Sequence, residues 1–271
     1  MQKALNKQTF TRRINSMLNA DFKRMMVSPF FYIIVGVSFA VPILILVMTN
    51  MMAGTTTVNP QTGIPSEPMQ TFSYVWQIFG SISGDSSSSA GMTMDLVSMC
   101  NINMLYFACA VLVCIFISED FKSGYVKNLF TVRVKKAEYV FSKTVVCFLG
   151  SAIMFIAFFI GAIIGGGVGG VPFTMEGFNV GNIIFCMLSK ICLIPVFVSI
   201  FTLASVIAKA KTWLSTCISL GVGMLLFMMI PSLTPLNAPL IHVVLCIAGS
   251  ALFAIGLGSI SNAVLNKTAL V

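Results

Sequence analysis

The sequence predicts an all-α polytopic membrane protein with six transmembrane helices and both termini in the cytoplasm. Three observations carry that expectation. Six apolar stretches, at 29–52, 98–118, 143–168, 181–208, 212–230 and 240–265, each reach the roughly 20 residues a bilayer core demands. The charge between them alternates. Fifteen of the 16 Lys and Arg residues fall in the N-terminal segment, the second loop, the fourth loop and the tail, whereas connections 53–97, 169–180 and 231–239 hold none, and cytoplasmic loops are the ones that carry such an excess. Finally, a chain that is 57% hydrophobic and 9% charged, with a mean hydropathy of +0.97, has too little polar surface to cover a water-soluble globule.

Each element follows from local pattern. In 1–28, Ile14, Met17, Leu18, Phe22, Met25 and Met26 recur at helical spacing while Arg12, Arg13, Lys23 and Arg24 take other positions. This reads as an amphipathic helix lying in the cytoplasmic interface, its apolar face among acyl chains, with a basic tail of no fixed orientation as the alternative. Ser28-Pro29 ends it. The first apolar run begins only near Pro29 and has no small-residue cleavage pattern, so no cleavable signal peptide is expected.

The external connection 53–97 is rich in Thr, Ser, Pro and Gly at both ends, around an aromatic stretch Phe72, Tyr74, Trp76, Ile78, Phe79. That stretch is read as an interfacial anchor, where Tyr and Trp prefer to sit, or else as part of a substrate vestibule. After the second span, 119–142 is a basic cytoplasmic loop in which Gly124 interrupts the helix and Tyr125, Val126, Leu129 and Phe130 recur at helical spacing. A short amphipathic helix and a solvated basic connector both fit this pattern. Gly161, Gly165 and Gly169 repeat every four residues near the end of the third span, either as a close-approach stripe of the GxxxG type or as a flexible helix end.

Lys190, about nine residues into the fourth span, is the basic residue outside the cytoplasmic set. A lysine at a helix centre costs roughly 2.5–3.5 kcal/mol on insertion scales, so it either snorkels to the outer headgroups or lines a polar cavity on a translocation path. Asn179, Gly181, Asn182 and Pro195 favour snorkelling, through a helix that starts late, close to Lys190.

Several chemistries are disfavoured. None of the eight acidic residues lies at mid-depth of an expected span, against ion-coupled carriage. The single histidine, His242, stands at a helix start, and no HExxH spacing occurs, so no catalytic or metal site is expected. The eight cysteines lack a CxxC pair and read as small core residues. The net charge of +8 sits beside helix ends, where an anionic leaflet accounts for it, so nucleic acid is set aside. No GxxxxGK[ST] occurs, and the chain is not expected to bind ATP in the P-loop manner.

Asp120, Gly124, Lys127, Asn128, Leu129, Arg133, Ser142 and Lys143, with Asp21-Phe-Lys-Arg ahead of the first span, form a pattern that resembles the permease subunits of ABC-2 type ABC transporters. It is especially similar to the bacterial group associated with bacitracin- and lantibiotic-type export or immunity. The resemblance implies a single transmembrane domain over 1–271 in a bacterial cytoplasmic membrane, forming half of an ATP-driven export pathway for an amphipathic or peptide-like compound, with a role in antimicrobial peptide resistance. It implies that Asp120, Gly124, Lys127, Asn128, Leu129, Phe130 and Arg133 belong to a coupling helix seated on a separate ATPase subunit. ATP and Mg would be held by that partner and no cofactor by this chain. A second permease, identical or paralogous, would complete the pathway. A non-transporting membrane anchor or sensor subunit is the alternative, and a membrane-embedded enzyme is a more distant one.

Overall fold

The computed structural model describes residues 2–52, 72–80, 101–131, 135–175, 177, 179–227 and 229–267. Among them the chain is helical without a strand: α1 Gln2–Val27, α2 Pro29–Met51, α3 Leu105–Lys122, α4 Tyr125–Thr131, α5 Lys136–Gly169, α6 Val180–Ala208, α7 Thr212–Phe227, α8 Ile230–Leu233 and α9 Leu240–Lys267. Short 3-10 turns at Val75–Phe79 and Ile102–Met104 complete the described elements. The protein is a multi-pass helical membrane protein. Five segments are long and apolar enough to cross a bilayer: α2, Ile102–Lys122, α5, α6 and α9.

The expected span 212–230 divides. Its helix α7 has 16 residues and ends at Phe227, about 24 Å of rise against a core of about 30 Å. Pro231 supplies the reason. It has no N–H to give to Phe227, four residues back, and its ring crowds that carbonyl, so the helix stops and restarts as α8. The third span departs the other way. It starts at Lys136, not 143, so the interval 119–142 is mostly helix, and α5 extends beyond the apolar core by about two turns.

Within the bundle α3 and α6 are central, while α2 and α9 lie outside with most of their apolar surface turned outward. The glycine stripe of α5 is a packing device rather than a loose end. A Cβ on Gly165 would stand 2.7 Å from the Ile43 Cα, and one on Gly161 would strike the Phe39 carbonyl and Pro42. Gly169 faces the Leu46 backbone, and the Asn50 side chain donates to the Gly169 carbonyl. Absence of side chains at 161, 165 and 169 therefore lets α2 and α5 run backbone to backbone.

In α1, Met17 and Met25 are buried, the latter against Gly150 of α5, so part of this apolar stripe covers protein. The expectation that the aromatic stretch is an interfacial anchor is corrected. Val75, Trp76, Ile78 and Phe79 are buried in the bundle, the Val75 amide donates to the Pro172 carbonyl, and Phe79 packs on Phe158 and Phe159. Its apolar groups are better removed from contact with water by α5 than by an interface that wets one side.

Candidate functional site

Two features at one end of the bundle concentrate the motif residues. The first is the turn after α3. Gly124 has φ +73°, a left-handed conformation that costs a side-chain-bearing residue about 1–2 kcal/mol. A Cβ there would meet nothing within 4 Å, so the backbone and not space requires glycine. The turn brings α4 against the bundle. Val126 is buried with Met17, Tyr139, Val140, Val206 and Leu265 in a small second core that joins α1, α4, α5, α6 and α9.

The second feature is a buried ionic cluster. Asp21 comes from α1, Asp120 from the last turn of α3 and Lys143 from α5, and all three are fully buried. The Lys143 ammonium lies 2.7 Å from Asp21 Oδ1 and 2.6 Å from Asp120 Oδ2. Arg24 Nη2 lies 2.7 Å from Asp120 Oδ1. Ser142 donates to Asp21 Oδ2 at 2.7 Å, and the Tyr139 hydroxyl donates to Asp120 Oδ2 at 3.1 Å. Two carboxylates thus meet two cations. Buried charges are tolerable when paired and hydrogen-bonded in this way, and removing one partner strands the others.

Aromatic rings close the cluster. The Arg24 guanidinium lies 4.1 Å from the centroid of Tyr125, and the Lys143 ammonium 4.3 Å from that of Phe116. Tyr125 is the first residue of α4, so the cluster reaches the helix beyond the turn. Burial would lower the Arg24 guanidinium, but the charge and hydrogen bond of Asp120 outweigh it and raise it. Burial, reinforced by Asp21, raises the Tyr125 phenol. Beside the cluster Arg13 approaches Glu138 at 3.6 Å.

The residues assigned to coupling therefore divide. Asp120 is inside, pairing charges. Leu129 and Phe130 are half-buried against the second core, Phe130 edge-on to Tyr139 at 5.8 Å. Lys127 and Asn128 are exposed, with Thr131 beside them donating to the Asn128 carbonyl. Arg133 lies outside the described residues. Sequence reasoning missed Tyr139, and it took Asp21 and Arg24 only as parts of a motif. A signal was present: Asp21 falls four residues from both Met17 and Met25, a carboxylate on an otherwise buried stripe.

Lys190 is remote from all of these. Its helix starts at Val180, so the lysine sits about 15 Å along α6. The ammonium does not snorkel, because it is fully buried and donates to Asn103 Oδ1 at 2.7 Å and Thr234 Oγ1 at 2.9 Å. Among the described residues no His, Cys, Asp and Glu group of three or more is placed to hold a metal ion.

The cluster and turn form a mechanical junction, four helices meeting on one charge-balanced knot with an exposed polar strip on α4. Neither a curated protein nor a solved structure matches the chain. The family model described as ABC-2 family transporter protein matches residues 17–230, a range that spans α1 from Met17 through the start of α8 and includes the whole cluster.

Proposed function

The chain belongs to the ABC-2 transporter family and is a membrane permease component of an ABC transporter, and from that premise we propose that it forms half of an exporter driven by a separate ATPase subunit. In this reading α7 and α8 together complete a sixth crossing and the charged end faces the cytoplasm. The ATPase receives the exposed strip Lys127, Asn128 and Thr131, with Gly124 setting the angle of α4. ATP and Mg act in the partner. A second permease chain, identical or paralogous, supplies the other half of the path. The cargo is amphipathic or peptide-like, as in the bacitracin- and lantibiotic-type group.

The observation that carries the reading is the knot behind α4. A push on α4 meets Tyr125 against Arg24, and Arg24 is paired with Asp120, which is paired with Lys143. Displacement is thereby shared with α1 and α5 instead of being absorbed by a loose loop. Buried charge pairs resist separation because each partner left alone carries a large desolvation penalty.

The exposed strip can be tested without damaging the core. Lys127→Glu combined with Asn128→Asp changes surface charge only, and the variant should insert and unfold like the parent but lose recovery of the ATPase on purification. Unchanged recovery and unchanged substrate-stimulated hydrolysis reject the docking surface. For orientation, a cysteine at Thr174 in a cysteine-free chain should react with an impermeant thiol reagent outside intact cells, whereas one at Ser123 should not. The opposite labelling reverses the topology.

A further inference from the structure

At the end of the bundle opposite the ionic cluster, three short segments, 72–80, 101–104 and 229–239, cover α3, α5 and α6. They are packed, not draped: Ile78, Phe79, Ile102, Leu236 and Ala238 are fully buried. A Cβ on Gly80 would lie 3.5 Å from the Thr234 carbonyl oxygen and 3.6 Å from the Leu236 nitrogen, so two of these segments touch through their backbones.

One side chain ties this cover to a central helix. Lys190 reaches Asn103, just ahead of α3, and Thr234, just after α8. The Thr234 hydroxyl gives its own proton to the Ile230 carbonyl at 2.9 Å, which leaves its oxygen to accept from the ammonium. Tyr106 donates to the Lys190 carbonyl at 2.9 Å, fixing the turn of α6 from which the lysine springs. Both acceptors are neutral. No described carboxylate pairs with Lys190, in contrast to Lys143. A charge-assisted bond to a neutral oxygen is strong enough to hold a buried contact and weaker than an ion pair.

We propose that Lys190, Asn103 and Thr234 form a latch that holds the outer cover closed and that can be released without separating opposite charges. Its use in letting cargo leave rests on the export reading; the latch itself does not. When it opens, Asn103 and Thr234 separate from α6 and the buried face of α6 beneath them becomes accessible.

Cys186 is a native reporter of that event. It is buried one turn from Lys190, with its Sγ 3.6 Å from the Thr234 carbonyl oxygen. The full chain, with Cys186 as its one cysteine, is placed in lipid nanodiscs, and its modification rate by a water-soluble maleimide is measured. Lys190→Met and Thr234→Val should each speed modification by about tenfold or more, the scale of losing one charge-assisted hydrogen bond. If the Met variant does not insert, Thr234→Val decides, since it removes a hydroxyl at nearly constant shape. A parallel chain keeping only Cys147, buried near the ionic cluster, should show no change. Parent-like rates at Cys186, or an equal rise at Cys147, overturn the latch. The readout needs no ATPase, so failure of the docking test leaves this proposal standing, and the converse holds.

Discussion

Lys143 and Lys190 are both fully buried on apolar helices, yet one end of the molecule surrounds its lysine with charge and the other with neutral oxygens. At the first end Asp21, Asp120 and Arg24 complete a four-charge network; at the second, Asn103 and Thr234 accept from an ammonium with no described counter-ion. The difference is one of reversibility. Dispersing the first set strands charges in a poor solvent for them, whereas opening the second exchanges charge-assisted hydrogen bonds to neutral oxygens and separates no opposite charges. On the proposed reading, the first is the joint where force enters and the second the joint where the path ends.

The largest break of this contrast is Lys143→Met. It leaves two buried carboxylates with Arg24 alone, and such losses cost about 3–5 kcal/mol. A marked fall in the thermal unfolding midpoint in nanodiscs is expected, and adding Asp120→Asn should recover much of it by restoring charge balance. If the single variant unfolds like the parent, the network does not hold the end together.

A change at the α2–α5 seam shows whether the far end depends on packing instead. Gly161→Val forces a side chain against the Phe39 carbonyl and should cost about 1–3 kcal/mol, as overpacked interiors do. Gly167→Val, where a Cβ meets nothing within 4 Å, is the control and should be nearly silent. Because valine is a better helix former than glycine, a loss at Gly161 cannot come from propensity, and equal losses at both positions would show that it does not come from this contact either.

Lys190→Met should leave the unfolding midpoint unchanged or slightly higher. Removal of a buried charge with no described counter-ion relieves a desolvation penalty that offsets the two hydrogen bonds lost. A loss as large as that at Lys143 would erase the distinction between the two lysines.

The smallest effect is titrational. Because burial and Asp21 raise the Tyr125 phenol, the folded chain holds that proton more tightly than the unfolded one. Its contribution is intact below a pH of about 10 and is lost as pH rises through the raised value. Tyr125→Phe should therefore make the unfolding midpoint slightly less sensitive to alkali. Identical pH profiles for variant and parent would place the phenol outside the network.

Much of the architecture is local and so was legible. Apolar length locates the crossings, Gly124 marks the turn, and Ser28-Pro29 separates α1 from α2 with proline opening the new helix, where its missing N–H does no harm. Pro231 was equally visible, but hydropathy sums composition and does not register a missing backbone donor. The amphipathic helix α4 was half legible. Spacing places Leu129 and Phe130 on one face of α4 but does not say whether that face meets a partner or the rest of the chain, and here it meets Tyr139.

What the sequence determined by itself is the solvent and the elements: membrane, helices, the positions of turns and the end where basic residues gather, all set by interactions among near neighbours. Only the tertiary structure decided that Asp21 meets Lys143 across 122 positions and that Lys190 meets Asn103 across 87. Helical periodicity gives each side chain a direction but not a neighbour, and a buried charge is defined by its neighbour. That is why the surroundings of Lys143 and Lys190, a four-charge network in one case and neutral oxygens in the other, were decided by the tertiary structure.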